Sequence, residues 1–177
     1  MKKNLLLLSV VFAVLFSCSV LDELTKFDLD LQTRYSIPAS TIVNVPASLA
    51  TPDVTTESES TFENNNTNKD LIESIKLKNI KLSIETPEDG NFNFLKEIHV
   101  YIEADGLDEL EIANMYDLEN TNSSALDLDV LDQELKAYIK KDSYSLRVKT
   151  TIDETVSETH EIIIDTKFRV DAKILGL

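Results

Sequence analysis

From Lys26 to Ile37 apolar and polar residues alternate without a break. Phe27, Leu29, Leu31, Thr33, Tyr35 and Ile37 share one parity; Asp28, Asp30, Gln32 and Arg34 share the other. Such a stretch buries one face only as a strand, because successive side chains of extended backbone point to opposite sides. The same texture returns where Ile98, Val100 and Ile102 alternate with Glu97, His99, Tyr101 and Glu103. It returns again at Tyr144, Leu146, Val148, Thr150 and Ile152, and from Glu158 to Leu175, with Phe168, Val170, Ala172 and Ile174 on one face.

Between these stretches the pattern is weaker. Pro38 ends the first strand, and the β-branched run Thr41 to Val45 predicts a second, shorter one closed by Pro46. Thr51 to Asn68 is rich in Thr, Ser, Glu and Asn with Phe62 as its one large apolar residue, and reads as a long loop that buries no face. From Leu71 to Glu85 the alternation of Ile75 and Leu77 resumes out of step at Ile80, Leu82 and Ile84, which predicts a β-bulge near Asn79 with Lys76, Lys78 and Lys81 facing water. Pro87-Glu88-Asp89-Gly90-Asn91 and Asp105-Gly106 are turns. Leu110 to Met115 and Leu126 to Val130 predict further strands, and Asp132 is placed to cap a short helix reaching Lys140. The sum is an all-β fold of about eight strands: an antiparallel β-sandwich, immunoglobulin-like or similar, with one short helix. Two stacked sheets are required because each strand has one face to cover; a closed barrel is the alternative.

Composition excludes several classes. A formal charge of −15 repels nucleic acid and anionic phosphate surfaces, so no nucleic-acid partner is expected. The chain has three glycines, Gly90, Gly106 and Gly176, too dispersed for a phosphate-cradling loop.

The amino-terminal region has a different character. Lys2 and Lys3 precede an apolar block, Leu5 to Phe16, that is short of the ~20 residues a membrane-crossing helix needs and suits a signal peptide. Leu15-Phe16-Ser17-Cys18 resembles the bacterial lipobox. That resemblance implies cleavage after Ser17, a diacylglycerol thioether on Cys18, and N-acylation, palmitate being a typical chain. Cys18 is the one cysteine in the chain, so no disulfide partner competes for it. Two or more acyl chains suffice for stable attachment at ~0.8 kcal/mol per buried methylene. The expected organisation is residues 1–17 as signal peptide, 18–25 as lipidated tether and 26–177 as the sandwich domain. Asp22-Glu23 behind the cysteine is like a weak form of the acidic signal that sends some Bacteroidota lipoproteins to the cell surface.

The strand–turn segment Leu71 to Ala104, with Asn91-Phe92-Asn93-Phe94-Leu95-Lys96-Glu97-Ile98 after its turn, resembles a group of uncharacterised Bacteroidota outer-membrane lipoproteins. So does Val170-Asp171-Ala172-Lys173-Ile174. The resemblance implies a sandwich fold and an envelope location, periplasmic or surface-facing. It transfers no catalytic or binding residue. A fainter likeness of strand texture is to the LEA type 2 sandwich.

For chemistry, a hydrolase needs a nucleophile, its base and an oxyanion site. The histidines are His99 and His160, both read as exposed, and no Gly-x-Ser-x-Gly occurs, so no catalytic residue is assigned. Two histidines far apart in sequence make a zinc site only with carboxylates brought in by the fold. Asp28-x-Asp30 and Asp127-x-Asp129 offer carboxylates to calcium without a calcium loop around them, and solvating a strand is their ordinary role. No metal or other cofactor is expected. His99, Tyr101 and Glu103 share a strand face and form a binding patch if that face is open. The leading expectation is a lipid-anchored envelope lipoprotein acting as a non-enzymatic binding or structural module. Its partners are the membrane, through the Cys18 anchor, and an envelope protein complex. The alternatives are a carboxylate-dependent hydrolase and a periplasmic carrier with an apolar hollow between its sheets.

Overall fold

The computed structural model describes residues 25–40, 42–118 and 122–173. The signal peptide, Cys18, Asp22-Glu23, Thr41 and Ile174 lie outside the described residues. In chain order the strands are β1 (Lys26–Ile37), β2 (Val45–Ala50), β3 (Val54–Thr55), β4 (Ile72–Thr86), β5 (Leu95–Glu103), β6 (Leu110–Met115), β7 (Ala125–Asp127), β8 (Asp129–Val130), β9 (Ser143–Ile152) and β10 (His160–Ala172). Two helices, α1 (Ser58–Asn64) and α2 (Lys136–Ile139), and a 3-10 turn at Lys69–Leu71 complete them.

The strands form two antiparallel sheets. One is four-stranded in the order β1-β10-β4-β7; the other is six-stranded in the order β2-β9-β5-β6-β8, with β3 also on β9. Alternation along β10 is complete, each even-numbered residue from His160 to Ala172 being buried. Ile75, Ile80 and Leu82 of β4, Ile98, Val100 and Ile102 of β5, Leu146 and Val148 of β9, and Ile162, Ile164, Phe168 and Val170 of β10 are all 0% exposed and belong to one cluster. Each such side chain contributes about 1.5–3 kcal/mol through removal from water. The fold is thus the antiparallel β-sandwich that the alternation predicts.

The bulge expected near Asn79 is present: Phe168 pairs with Leu77 and Lys167 with Asn79, so Lys78 is the extra residue and the core parity shifts there. The Leu126–Val130 run is not one strand. β7 pairs with β4 in one sheet and β8 with β6 in the other, so the chain changes sheets at Leu128. The second strand lies later than expected, at Val45–Ala50, and contains Pro46 instead of ending at it. β2 is a sheet edge, where a residue without an N–H is tolerated.

The sequence predicts one short helix, and two are found among the described residues. α2 is a single turn, because Asp132 does not cap it: the Asp132 carboxylate accepts from Lys76 Nζ. Glu134 does the work instead, its Oε1 accepting from Lys136 N at 3.0 Å and from Ile75 N at 2.9 Å, which ties the turn to β4. The segment read as a loop burying nothing holds β3 and α1, and Phe62 is 0% exposed with its ring edge-on to Phe27 at 6.2 Å. The Thr56 hydroxyl donates to the Lys141 carbonyl at 2.7 Å and the Thr67 hydroxyl to the Lys173 carbonyl at 2.7 Å. Buried polar groups are tolerated when paired in this way, so a polar composition concealed a packed segment.

Candidate functional site: an open sheet face and a cleft at the loop end

The outer face of the six-stranded sheet carries the predicted patch. Register sets His99 opposite Asn114 and Lys149, Tyr101 opposite Glu111 and Arg147, and Glu103 opposite Ser145. All three are half-buried, with neither the other sheet nor a loop burying them fully, so the face is open. Their polar groups are nevertheless engaged. Arg147 Nε donates to Glu103 Oε1 at 2.7 Å, its second guanidinium nitrogen donates to Glu103 Oε2 at 3.0 Å, and Glu109 Oε2 lies 3.0 Å from the same Nε. Lys149 Nζ contacts Glu109 and stands 3.9 Å over the Tyr101 ring. His99 Nδ1 is 2.7 Å from Glu111 Oε1, and its ring meets Tyr116 edge-on at 5.2 Å.

The electrostatics follow from these contacts. The Arg147 guanidinium holds the Glu103 carboxyl below its ordinary value. Burial pushes Glu111 up, but hydrogen bonds from Asn114 and His99 outweigh it, and the net shift is downward. Burial, aided by the nearby Glu111 charge, raises the Tyr101 phenol. The face is a mutually satisfied ion lattice on rigid strands.

A second feature lies where β1 ends and β10 begins. The turn Pro87–Phe94 and the loop 153–159 flank an open cleft of about 230 Å³. Gly90 closes the first wall by donating its N–H to the Pro87 carbonyl at 3.0 Å; a Cβ there would meet Ile84 Cγ2 and Pro87 O, each at 2.9 Å. Asn93 and Asn122 bond to each other at 2.9 and 2.7 Å. The second wall is held by Asp153 N donating to the Phe94 carbonyl at 3.1 Å, and by a two-way bridge between Val156 and Ser40 at 2.9 Å.

His160 lines this cleft. It was read as exposed and is 7% exposed, because it is the first inward residue of β10 and packs on the Phe94 ring at 4.7 Å. The signal was available: counting back by twos from Phe168 puts residue 160 on the buried parity. Its Nδ1 lies 3.0 Å from the Glu158 carbonyl, which can only accept, so Nδ1 carries the hydrogen. The exposed carboxylates Asp89, Glu154 and Glu158 also line the cleft, with no lysine or arginine among its described lining residues.

Of the proposed calcium ligands, Asp28 binds Lys78 at 2.9 Å and Arg169 at 3.0 Å, and Asp30 binds Lys167 at 3.0 Å. These aspartates serve as cross-strand ion pairs. Among the described residues no group of three or more His, Cys, Asp or Glu is arranged to hold a metal ion.

No protein-family model matches the chain, and no curated protein matches it in sequence. Among solved structures it is similar to a CBM32 module from a family 31 glycoside hydrolase of Clostridium perfringens, at 8% identity and TM-score 0.34, covering 79% of this chain and 75% of that one. It is similar to the peptide:N-glycanase PNGase F at 13% identity and TM-score 0.45, covering 84% of this chain and 43% of that one. A third is the C-terminal domain of a chitobiase from Bacteroides fragilis, at 14% identity and TM-score 0.32, covering 75% and 66%. Likeness at this level carries no argument about activity, and the assignment of the fold stands on the chain's own strand pairing.

Proposed function

We propose that the chain is a lipid-anchored, non-enzymatic binding module of a bacterial outer membrane, attached through Cys18 and presenting its far loop end to a partner in an envelope complex. The observation that carries this reading is the direction of β1. The strand leaves the tether at Lys26 and runs 12 residues to Ile37, which pairs with His160 beside the cleft. At ~3.3 Å per residue the cleft stands about 36 Å from the tethered end.

The alternatives lack comparable support. A carrier needs a hollow, and a hollow wide enough for a ligand leaves accessible surface on its lining; the facing residues Ile80, Val100, Val148 and Ile164 have none. A glycoside hydrolase needs one carboxyl raised so that it stays protonated as the acid. Among the described residues the displaced carboxyls, Asp28, Glu85, Glu103, Glu111 and Glu134, are all held down.

The test is Cys18→Ala in the native host, followed by membrane fractionation and intact-mass measurement. The wild-type protein is expected in the detergent-released fraction with acyl mass on Cys18, and the variant in neither state. A variant that remains membrane-bound, or a wild-type protein without acyl mass, overturns the anchor.

A further inference from the structure

We infer that β1 is a docking edge for a second copy of this chain: two β1 strands pair antiparallel across a two-fold axis at Gln32 and join their four-stranded sheets. The inference goes beyond the reading of the chain as an anchored module and does not depend on it.

The first observation is that one sheet margin differs from the rest. The two sheets end in β1, β7, β2 and β8. β7 has 3 residues and β8 has 2, while β2 has 6 with Pro46 among them. Short length and proline are common means by which an edge is kept from pairing. β1 has neither. It runs 12 residues without proline or glycine, and its register on β10 is unbroken. Its inward positions, from Phe27 to Ile37, carry no charge.

Backbone direction can be assigned along this edge. Ala172 N donates to the Thr25 carbonyl at 3.1 Å, and the Thr166 hydroxyl donates to the Leu31 carbonyl at 3.0 Å. Odd-numbered residues therefore turn their N–H and C=O toward β10, and the even-numbered ones turn theirs away, because the two directions alternate in an antiparallel strand. No strand lies on that other side. Among the described residues, Asp28, Asp30, Gln32, Arg34 and Ser36 have no backbone partner there.

The second observation is that the side chains of this edge complement themselves. An incoming copy presents its own outward-turned residues, so even positions pair with even. With Gln32 opposite Gln32, Asp30 of each copy stands opposite Arg34 of the other, and Asp28 opposite Ser36. Asp30 and Arg34 keep 67% and 53% of their side-chain surface open, so each can take a further partner. An axis at Leu31 would set Arg34 against Asp28, which Lys78 and Arg169 already hold. An axis at Asp30 would set that carboxylate against itself and Lys26 against Arg34, and like charges directly opposite are disfavoured. β1 holds two bases, Lys26 and Arg34, and two acids, Asp28 and Asp30, so it is neutral in a chain of charge −15 and two copies meet there without local repulsion. Pairing supplies about ten backbone hydrogen bonds, and the two-fold closes the assembly at a dimer. In a membrane-anchored dimer the strands run along the bilayer, with a tether leaving at each end and both loop ends at the flanks.

The full chain carrying Cys18→Ser, in detergent micelles, has no thiol of its own. Into it are placed Gln32→Cys or, as a control on an exposed turn, Asp105→Cys. Directly opposed, hydrogen-bonded strand residues have Cα atoms about 5.5 Å apart, within the reach of a disulfide. Mild oxidation is expected to link Gln32→Cys into a dimer and to leave Asp105→Cys a monomer. Sedimentation equilibrium then measures association in chains without these cysteines. Gln32→Pro removes an N–H that β10 does not use, and should weaken the dimer at least about tenfold while the urea midpoint holds. Asp30→Arg and Arg34→Asp should each weaken it about tenfold, since each change acts twice across the axis. The exchange Asp30→Arg/Arg34→Asp should restore affinity to within about threefold of the starting chain, although it breaks the contacts to Lys167 and Glu85 inside each copy. A monomer at all concentrations, equal linking at the two cysteine positions, a dimer indifferent to Gln32→Pro, or no recovery in the double exchange overturns the inference. Cys18 is replaced throughout, so failure here leaves the anchor standing.

Discussion

His99 and His160 occupy opposite circumstances. His99 stands in mid-strand on an open face, its ring nitrogen on Glu111 and its edge on Tyr116, inside a lattice where Glu103 meets Arg147 and Glu109 meets Lys149. His160 sits at a strand start, nearly enclosed, with Nδ1 3.0 Å from the Glu158 carbonyl and its ring packed on Phe94. Exposure and engagement are therefore separate properties of a side chain. A solvated face whose donors and acceptors satisfy one another offers a ligand little, because each new contact must break an existing one.

The contrast can be broken by mutation. Phe94 is 6% exposed, belongs to the core and supports His160, so Phe94→Ala should cost about 3 kcal/mol in urea unfolding. Tyr101→Ala on the lattice removes a ring lying under Lys149 and should cost about 1 kcal/mol or less. Equal losses would erase the distinction between a cleft built into the core and a lattice laid over it.

Acid provides the next test. Because Arg147 holds Glu103 below its ordinary value near 4.5, the folded chain keeps this carboxyl charged to a lower pH than the unfolded chain does. Its contribution is complete above about 4.5 and disappears as pH falls through the lower folded value. Glu103→Gln should cost about 1 kcal/mol at neutral pH, a figure already reduced for partial exposure. The gap between variant and wild type in urea midpoints should close on acidification; a pH-independent gap would show that the pair contributes packing alone. The smallest effect is expected at Tyr116, 54% exposed, where Tyr116→Ala should change thermal stability by no more than about 0.5 kcal/mol. A larger loss would mean that the His99–Tyr116 contact anchors the lattice.

Much of this architecture was readable from residue order. The inward parity of β1, the bulge at Lys78–Asn79 and the placement of His99, Tyr101 and Glu103 on one outer face all follow from a two-residue period, and they appear at the expected positions. The cleft was not readable in the same way, although the Pro87–Asn91 turn and the inward parity of His160 both were. It forms because Asp153 N reaches the Phe94 carbonyl and Val156 pairs with Ser40, contacts between segments far apart in the chain. The buried Phe62 segment was missed for a related reason. Its buried Thr56 and Thr67 are satisfied by distant carbonyls at Lys141 and Lys173, which local composition does not announce.

Alternation alone determined that this chain builds strands and which side of each strand avoids water, because the pleat ties every side chain to its neighbour's opposite direction. Which acids find a cation and which are left facing a cleft was decided only when strands from distant parts of the chain came into register. Charge pairing depends on distance in space, and sequence spacing constrains that distance only within a strand or turn.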